Sequence, residues 1–140
     1  MSDEITTTRS NDNTWAVVVW ALYAAGYFTG TLTAMVGVII AYVQRNELAE
    51  TPYGSHMTSA IRTFWIHLVA VVVAIGLIVL GFVLVFGTNA QNHPDSSAYL
   101  WLMSGFLVLM MIVPWHIFRI VRGLVRAIDR EPIVNPTGWF

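Results

Sequence analysis

The stretch TFWIHLVAVVVAIGLIVLGFVLVF (63–86) decides the fold. It carries no charge, and as a helix rising ~1.5 Å per residue it covers ~36 Å, enough to cross a bilayer core of ~30 Å. SAYLWLMSGFLVLMMIVPWHIFRIV (97–121) is a second such stretch, with its first basic residue at Arg119. Composition agrees with both: 56% of the 140 residues are apolar and 11% charged, with mean hydropathy +0.65. A soluble domain runs at roughly 45–50% apolar and about 25% charged. The expected class is an all-α membrane protein.

Working outward toward the N-terminus, Thr14 to Gln44 is also uncharged. As one straight helix, Trp15 to Val43 would be ~43 Å long and would need a tilt of about 45°, beyond the usual range. Near its middle lies YFTGTLT (27–33), where Gly30 is flanked by threonines whose hydroxyls can satisfy backbone groups freed by a break. The stretch is therefore expected to split into a broken or short first helical pair, about 15–28 and 32–44. The halves would form two compact spans or a re-entrant hairpin; a long kinked single helix is the alternative. Two long transmembrane helices, about 58–86 and 97–118, complete a four-helix bundle. Small residues at Gly26, Gly30 and Ala34, and at Gly37 and Ala41, have the spacing that lets membrane helices approach closely. Pro114 removes a helix hydrogen bond to Met110 and is expected to kink the last span.

All seven basic residues are arginines, and six of them lie in 45–62 and 119–130, whereas 87–97 has none. The positive-inside rule then places the two arginine-bearing segments in the cytoplasm and 87–97 outside. An even number of crossings, or a hairpin that returns, puts both termini in the cytoplasm. Aromatic residues suit this topology, with Trp15, Tyr42, Trp65 and Trp115 at the inner interface and Tyr27, Phe86, Tyr99 and Trp101 at the outer one.

The remaining segments are short. Residues 1–13 are polar and lack a basic signal-peptide start, so a disordered cytoplasmic tail is expected before a single helical membrane domain over 14–128. Within that domain RIVRGLVRAIDR (119–130) reads as a C-terminal cytoplasmic amphipathic helix. Ile120, Leu124 and Ile128 share one face, while Arg119, Arg122, Arg126 and Arg130 are set to meet anionic head groups on the other. DREPIVNPTGWF (129–140) follows as an extended tail whose prolines stop the helix.

The segments LTAMVGVIIAYVQR (32–45), SHM and IRTFW within 55–65, and FRIVRGLVRAIDREPIVNP with a following Trp within 118–139 resemble the bacterial branch of the Tic-twenty-like family. These are small membrane proteins related to a component of the chloroplast inner-envelope protein-import channel. The resemblance covers nearly everything after residue 14, and its C-terminal motif is the specific part. It implies a four-helix fold in the bacterial inner membrane with cytoplasmic ends. About function it implies little, because the import role belongs to the chloroplast branch. It singles out Ser55, His56, Arg62, Thr63, Phe64, Trp65, Arg119, Arg122, Arg126, Pro132, Pro136 and Trp139 as motif positions. Met57 departs from it, since the family carries an aromatic residue there. Gly54-Ser55-His56-Met57 also matches the remnant of a cleaved affinity tag, but topology, aromatic placement and resemblance run through it without a seam. It is read as the native turn that opens the third helix, with Ser55 or Thr58 as capping oxygen.

The chemistry on offer is narrow. With no Cys there is no thiolate metal site or disulfide. All eight acidic residues lie outside the proposed spans, and no arrangement of nucleophile and base is visible. The expectation is a non-catalytic protein without a cofactor: an accessory or assembly subunit, or a homo-oligomer, in contact with lipid and a protein partner but not with nucleic acid. A pore or carrier is the alternative. A third reading makes His67 and His116, at similar depth on antiparallel neighbours, the ligands of a haem iron or a metal. His56 and Arg62 are the remaining candidates for contact, with Glu47 or Asp129 as partners for Arg62.

Overall fold

A computed structural model describes residues 2–29, 31–87 and 96–138, with side chains from residue 13 onward except that of Ser96. Four helices follow in order, α1 (Ser2–Thr29), α2 (Leu32–Glu47), α3 (Gly54–Phe86) and α4 (Ser96–Ile128), and no strand is found among the described residues. The expected all-α architecture with a broken first pair is what forms. Helix α1 begins at Ser2, however, and takes in the polar segment read as a disordered tail. Its polar residues extend a helix already nucleated by the apolar turns beyond them, so the costly first turn is not theirs to form.

The chain reverses between α1 and α2. Thr31 takes a left-handed conformation, φ 75°, and its amide donates back to the Gly26 carbonyl at 2.9 Å, closing the end of α1. The Thr31 carbonyl then accepts from Met35 N at 3.0 Å as the first bond of α2. The Thr29 hydroxyl donates to the Ala25 carbonyl at 3.1 Å and lies 2.8 Å from that of Thr33. The threonines thus do the work expected of them. Antiparallel packing follows, with a Cβ on Gly26 only 3.1 Å from that of Ala34, and one on Gly37 at 2.9 Å from the Tyr23 ring. The long kinked helix is thereby replaced by a hairpin whose second arm, 16 residues long, covers only ~24 Å.

The chain divides into two compact units, Met1–Trp65 with Ile117–Phe140, and Ile66–His116. The core of the first contains Ala16, Val19, Trp20 and Tyr23 of α1, Val38 and Ala41 of α2, Met57, Ala60 and Ile61 of α3, and Ile120 and Ala127 of α4. On α1 these recur at three- and four-residue steps, which is one helical face. Trp20 meets Tyr23 edge-on at 5.7 Å, and the Tyr23 hydroxyl donates to the Ala60 carbonyl at 2.9 Å. Tyr23→Phe should keep the packing and cost about 1 kcal/mol, the net value of one such bond. Reversible unfolding in detergent would show this, and an unchanged stability would mean the bond contributes nothing.

In the second unit α3 and α4 run antiparallel through small residues. A Cβ on Gly81 would stand 2.7 Å from Leu102, and one on Gly105 would stand 2.6 Å from Ile78 and 2.7 Å from the Ala74 carbonyl. Both helices are apolar and long enough to cross a membrane, yet only 11% of the most apolar window of each is buried within the protein. A core helix of a soluble protein would be covered. Val69, Val72, Val79, Met103, Leu107 and Met110 instead stand outward, more than half exposed, as side chains in lipid do.

Helix α4 also corrects two expectations. Its arginine-bearing end is no separate helix but continues from the apolar part through Pro114, because a proline removes one backbone donor and the neighbouring turns remain bonded. The arginine side is likewise not uniformly outward. Arg119, Ile120, Gly123 and Ala127 are buried, while Val121, Val125 and Ile128 are exposed. The helix ends with Arg130 left-handed at φ 59° and the Glu131 amide bonded to the Arg126 carbonyl at 2.9 Å, just ahead of Pro132.

Candidate functional site: a polar clamp on the C-terminal tail

Within the first unit the polar ends of α3 and α4 hold the tail. Ser59 and Thr63, four residues apart, lie on one face of α3. The Thr63 hydroxyl donates to the Ser59 carbonyl at 2.7 Å, which leaves its lone pairs for Arg119. Arg119 Nε donates to Thr63 Oγ1 at 2.9 Å, Nη2 to Ser59 Oγ at 2.8 Å and Nη1 to the Gly138 carbonyl at 2.6 Å. A planar fork with donors on three edges suits this splayed set of acceptors. Arg119 is only 7% exposed, and these oxygens solvate its charge in place of water.

His56, fully buried, forms the second link. Trp20 Nε1 lies 3.3 Å from His56 Nδ1, and His56 Nε2 lies 2.8 Å from the Glu131 carbonyl. An indole N–H can only donate and a carbonyl can only accept, so Nδ1 is the acceptor and Nε2 carries the proton. The ring is neutral in one tautomer. Ser55 was expected to cap α3, but its hydroxyl donates to the Pro52 carbonyl at 2.7 Å and accepts from Ile133 N at 2.9 Å. Thr58 does not cap either, since it donates to the Gly54 carbonyl at 3.2 Å. The Tyr53 carbonyl opens α3 instead, accepting from the amides of His56 and Met57. Arg126 Nη1 completes the clamp on the Pro132 carbonyl at 3.2 Å. The four contacts that reach the tail, from His56, Arg119, Arg126 and Ser55, all read its main-chain atoms.

His56→Ala should cost about 2–3 kcal/mol, because it strands both the Trp20 N–H and the Glu131 carbonyl. Loss of amide protection should be largest near residues 131–133 in hydrogen exchange. Equal loss across all helices would contradict a role at the tail.

Ser55, His56, Thr63, Arg119, Arg126 and Pro132 thus converge. Phe64 and Trp65 lie beside them: Phe64 is 6.5 Å from the Tyr23 ring, and Trp65 Nε1 donates to Tyr42 Oη at 2.9 Å. Trp15 joins that aromatic level through Gln44, whose amide, oriented to satisfy both neighbours, accepts from Trp15 Nε1 and donates to Glu47, each at 2.8 Å. Arg62 and Arg122, both half-buried, act on Arg119 as like charges. Pro136 is half-buried in the turn before Gly138, and Arg130 is exposed at the end of α4. Trp139 lies outside the described residues. Sequence reasoning missed Trp20, Tyr23, Ser59 and Gly123. The available signals were a Trp and a Tyr inside an apolar run rather than at its ends, and a Ser four residues before Thr63.

His67 and His116 do meet in the second unit, but as stacked rings 3.8 Å apart at 20°. Haem ligands must approach the iron from opposite sides, and a face-to-face stack leaves no gap for a macrocycle or an ion between the rings. His67 Nδ1 is buried with no hydrogen-bond partner among the described residues. Among the described residues no group of three or more His, Cys, Asp or Glu side chains gathers in a way that could hold a metal. Comparison with family models, curated proteins and solved structures finds no match to this chain.

Proposed function

We propose that this chain is a non-catalytic protein of the bacterial inner membrane, a member of the bacterial Tic-twenty-like branch, that acts as an accessory or assembly subunit with a larger partner or as a homo-oligomer. The observation that carries this reading is the bare flank of the α3–α4 pair, 11% buried in its most apolar windows. Without a hydrophobic driving force between helices in lipid, such flanks associate through packing with neighbours that match them. His56, Ser59 and Arg119 of the first unit are meanwhile spent on the chain's own helices and tail. The sequence resemblance of segments 32–45, 55–65 and 118–139 is what supports the family assignment. The arginines of 45–62 and 119–130 support cytoplasmic termini.

Purification from native membranes in mild detergent tests this reading. A stoichiometric protein partner, or a defined homo-oligomer that passes no solute in liposomes, is the expected result. A monomer without a partner would overturn it. The α1–α2 reversal at Thr31 favours a transport element as second reading, because non-helical backbone at membrane depth is tolerated only inside protein or beside water. Solute flux through reconstituted oligomers would establish that reading instead.

A further inference from the structure

Helix α2 turns an apolar face outward. Leu32, Met35, Ile39 and Val43 are more than half exposed and recur at three- and four-residue steps, so they share one side of the helix. Ala34, Gly37, Val38, Ala41 and Gln44 are buried on the other side. We propose that the outward face is a lipid-contact surface, and that the α1–α2 hairpin lies along the membrane interface rather than through the hydrocarbon. The inference rests on the membrane placement proposed above and names the surface by which the first unit meets lipid.

Both ends of the hairpin favour an interface. At the tip, α2 opens on Thr31 with no side-chain cap, so the first amides of its backbone need water, while Phe28 beside them is 92% exposed and needs an apolar neighbour. At the base, Trp15, Tyr42 and Trp65 are exposed rings whose polar atoms are bonded. Trp65 Nε1 donates to Tyr42 Oη at 2.9 Å, and Trp15 Nε1 donates to the Gln44 side chain at 2.8 Å. Rings with an apolar body and a polar edge collect where lipid meets water. Arg45 and Glu47 follow directly along the chain.

Length argues against a crossing. Helix α2 has 16 residues and covers ~24 Å, and Trp15 to Thr29 on α1 covers ~21 Å, both short of a hydrocarbon core of ~30 Å. Two ends that both seek an interface, on arms too short to join the two interfaces of a bilayer, belong to the same one. An upright hairpin would carry the uncapped amides toward the bilayer mid-plane, where lipid-exposed irregular backbone is not tolerated. Lying flat, the hairpin keeps tip and base at head-group level and sets Leu32, Met35, Ile39 and Val43 against the acyl chains, as interfacial helices do. No charged residue occurs from Thr14 to Gln44, so this contact takes no charge out of water.

The chain has no Cys, so single cysteines can each carry one nitroxide label. Leu32→Cys, Ile39→Cys and Val43→Cys sample the outward face at exposed positions where packing is untouched, and Val72→Cys samples α3. The full chain is placed in nanodiscs of phosphatidylcholine and phosphatidylglycerol, and collisions with oxygen and with a water-soluble nickel chelate give the depth of each label. The expected result is one shallow depth at all three α2 positions, about 5–10 Å into the head-group and acyl boundary, with Val72→Cys deeper. A depth that increases by ~16 Å from Val43 to Leu32 would mean an inserted hairpin and overturn the proposal. Nickel access as in bulk water would overturn it too, as would exclusion of both reagents, which would mean that protein, a second copy or another partner, covers the face. The Val72 label separates this failure from that of the membrane reading. Oxygen-rich collisions at Val72→Cys beside any of those results overturn the hairpin placement alone, whereas nickel access at Val72→Cys overturns the membrane placement itself.

Discussion

Arg119→Met should release the 131–138 tail and lower stability by about 3 kcal/mol. The three bonds it removes, to Thr63, Ser59 and Gly138, are of the charge-assisted kind, worth about 1.5–3 kcal/mol each. Removing the guanidinium also removes the cost of keeping a charge away from water, so the net loss is smaller than their sum. Arg119→Lys tests whether charge or shape matters. A single ammonium on a flexible stem cannot meet three acceptors set on different edges of a fork, so Lys should rescue little. Hydrogen exchange at 131–138 should quicken on the order of 10²-fold in both variants, the factor that about 3 kcal/mol implies if the tail opens locally. Full rescue by Lys would show that charge alone holds the tail.

Gly123→Ala should destabilise although alanine is the better helix former. A Cβ at this position would stand 2.5 Å from Trp20 Cζ2 and 2.6 Å from Cδ2, closer than any packed carbons. Trp20 cannot yield easily, being 1% exposed, bonded to His56 and set edge-on against Tyr23. Overpacking of this kind costs about 1–3 kcal/mol, against a gain of about 1 kcal/mol from replacing glycine in a helix. A net loss of up to about 2 kcal/mol is expected for alanine and more for valine. In a Trp20→Ala background the sign should reverse, and Gly123→Ala should stabilise by up to about 1 kcal/mol. Additive behaviour in that double-mutant cycle would mean that the two residues do not meet.

Both effects lie at positions whose roles the chain pattern conveyed unevenly. Arg119 stands in a row with Arg122, Arg126 and Arg130, and helical spacing groups all four on one face. Spacing does not say which side of that face is covered. Tertiary packing turned Arg119 inward and Val121, Val125 and Ile128 outward, because a buried donor needs oxygens, which Ser59 and Thr63 provide. Ser55 shows the same limit. Its place at the start of α3 fits a capping residue, yet the docked tail brings the Ile133 amide to its hydroxyl, a contact across 78 residues that no local rule contains.

The sequence by itself determined the all-helical class, the two long apolar helices, the break near Gly30 and the end of the last helix ahead of Pro132. Each follows from forces acting within a few turns of chain: transfer of uncharged side chains out of water, hydroxyls that satisfy freed backbone groups, and a ring that cannot donate. Only the tertiary structure decided that His56 is a neutral bridge between Trp20 and Glu131, that Arg119 is the centre of the clamp, and that His67 and His116 stack rather than face a common ion. These depend on the rotation and depth of one helix against another. That geometry is set by where glycines allow close approach and by which buried donors and acceptors must find each other.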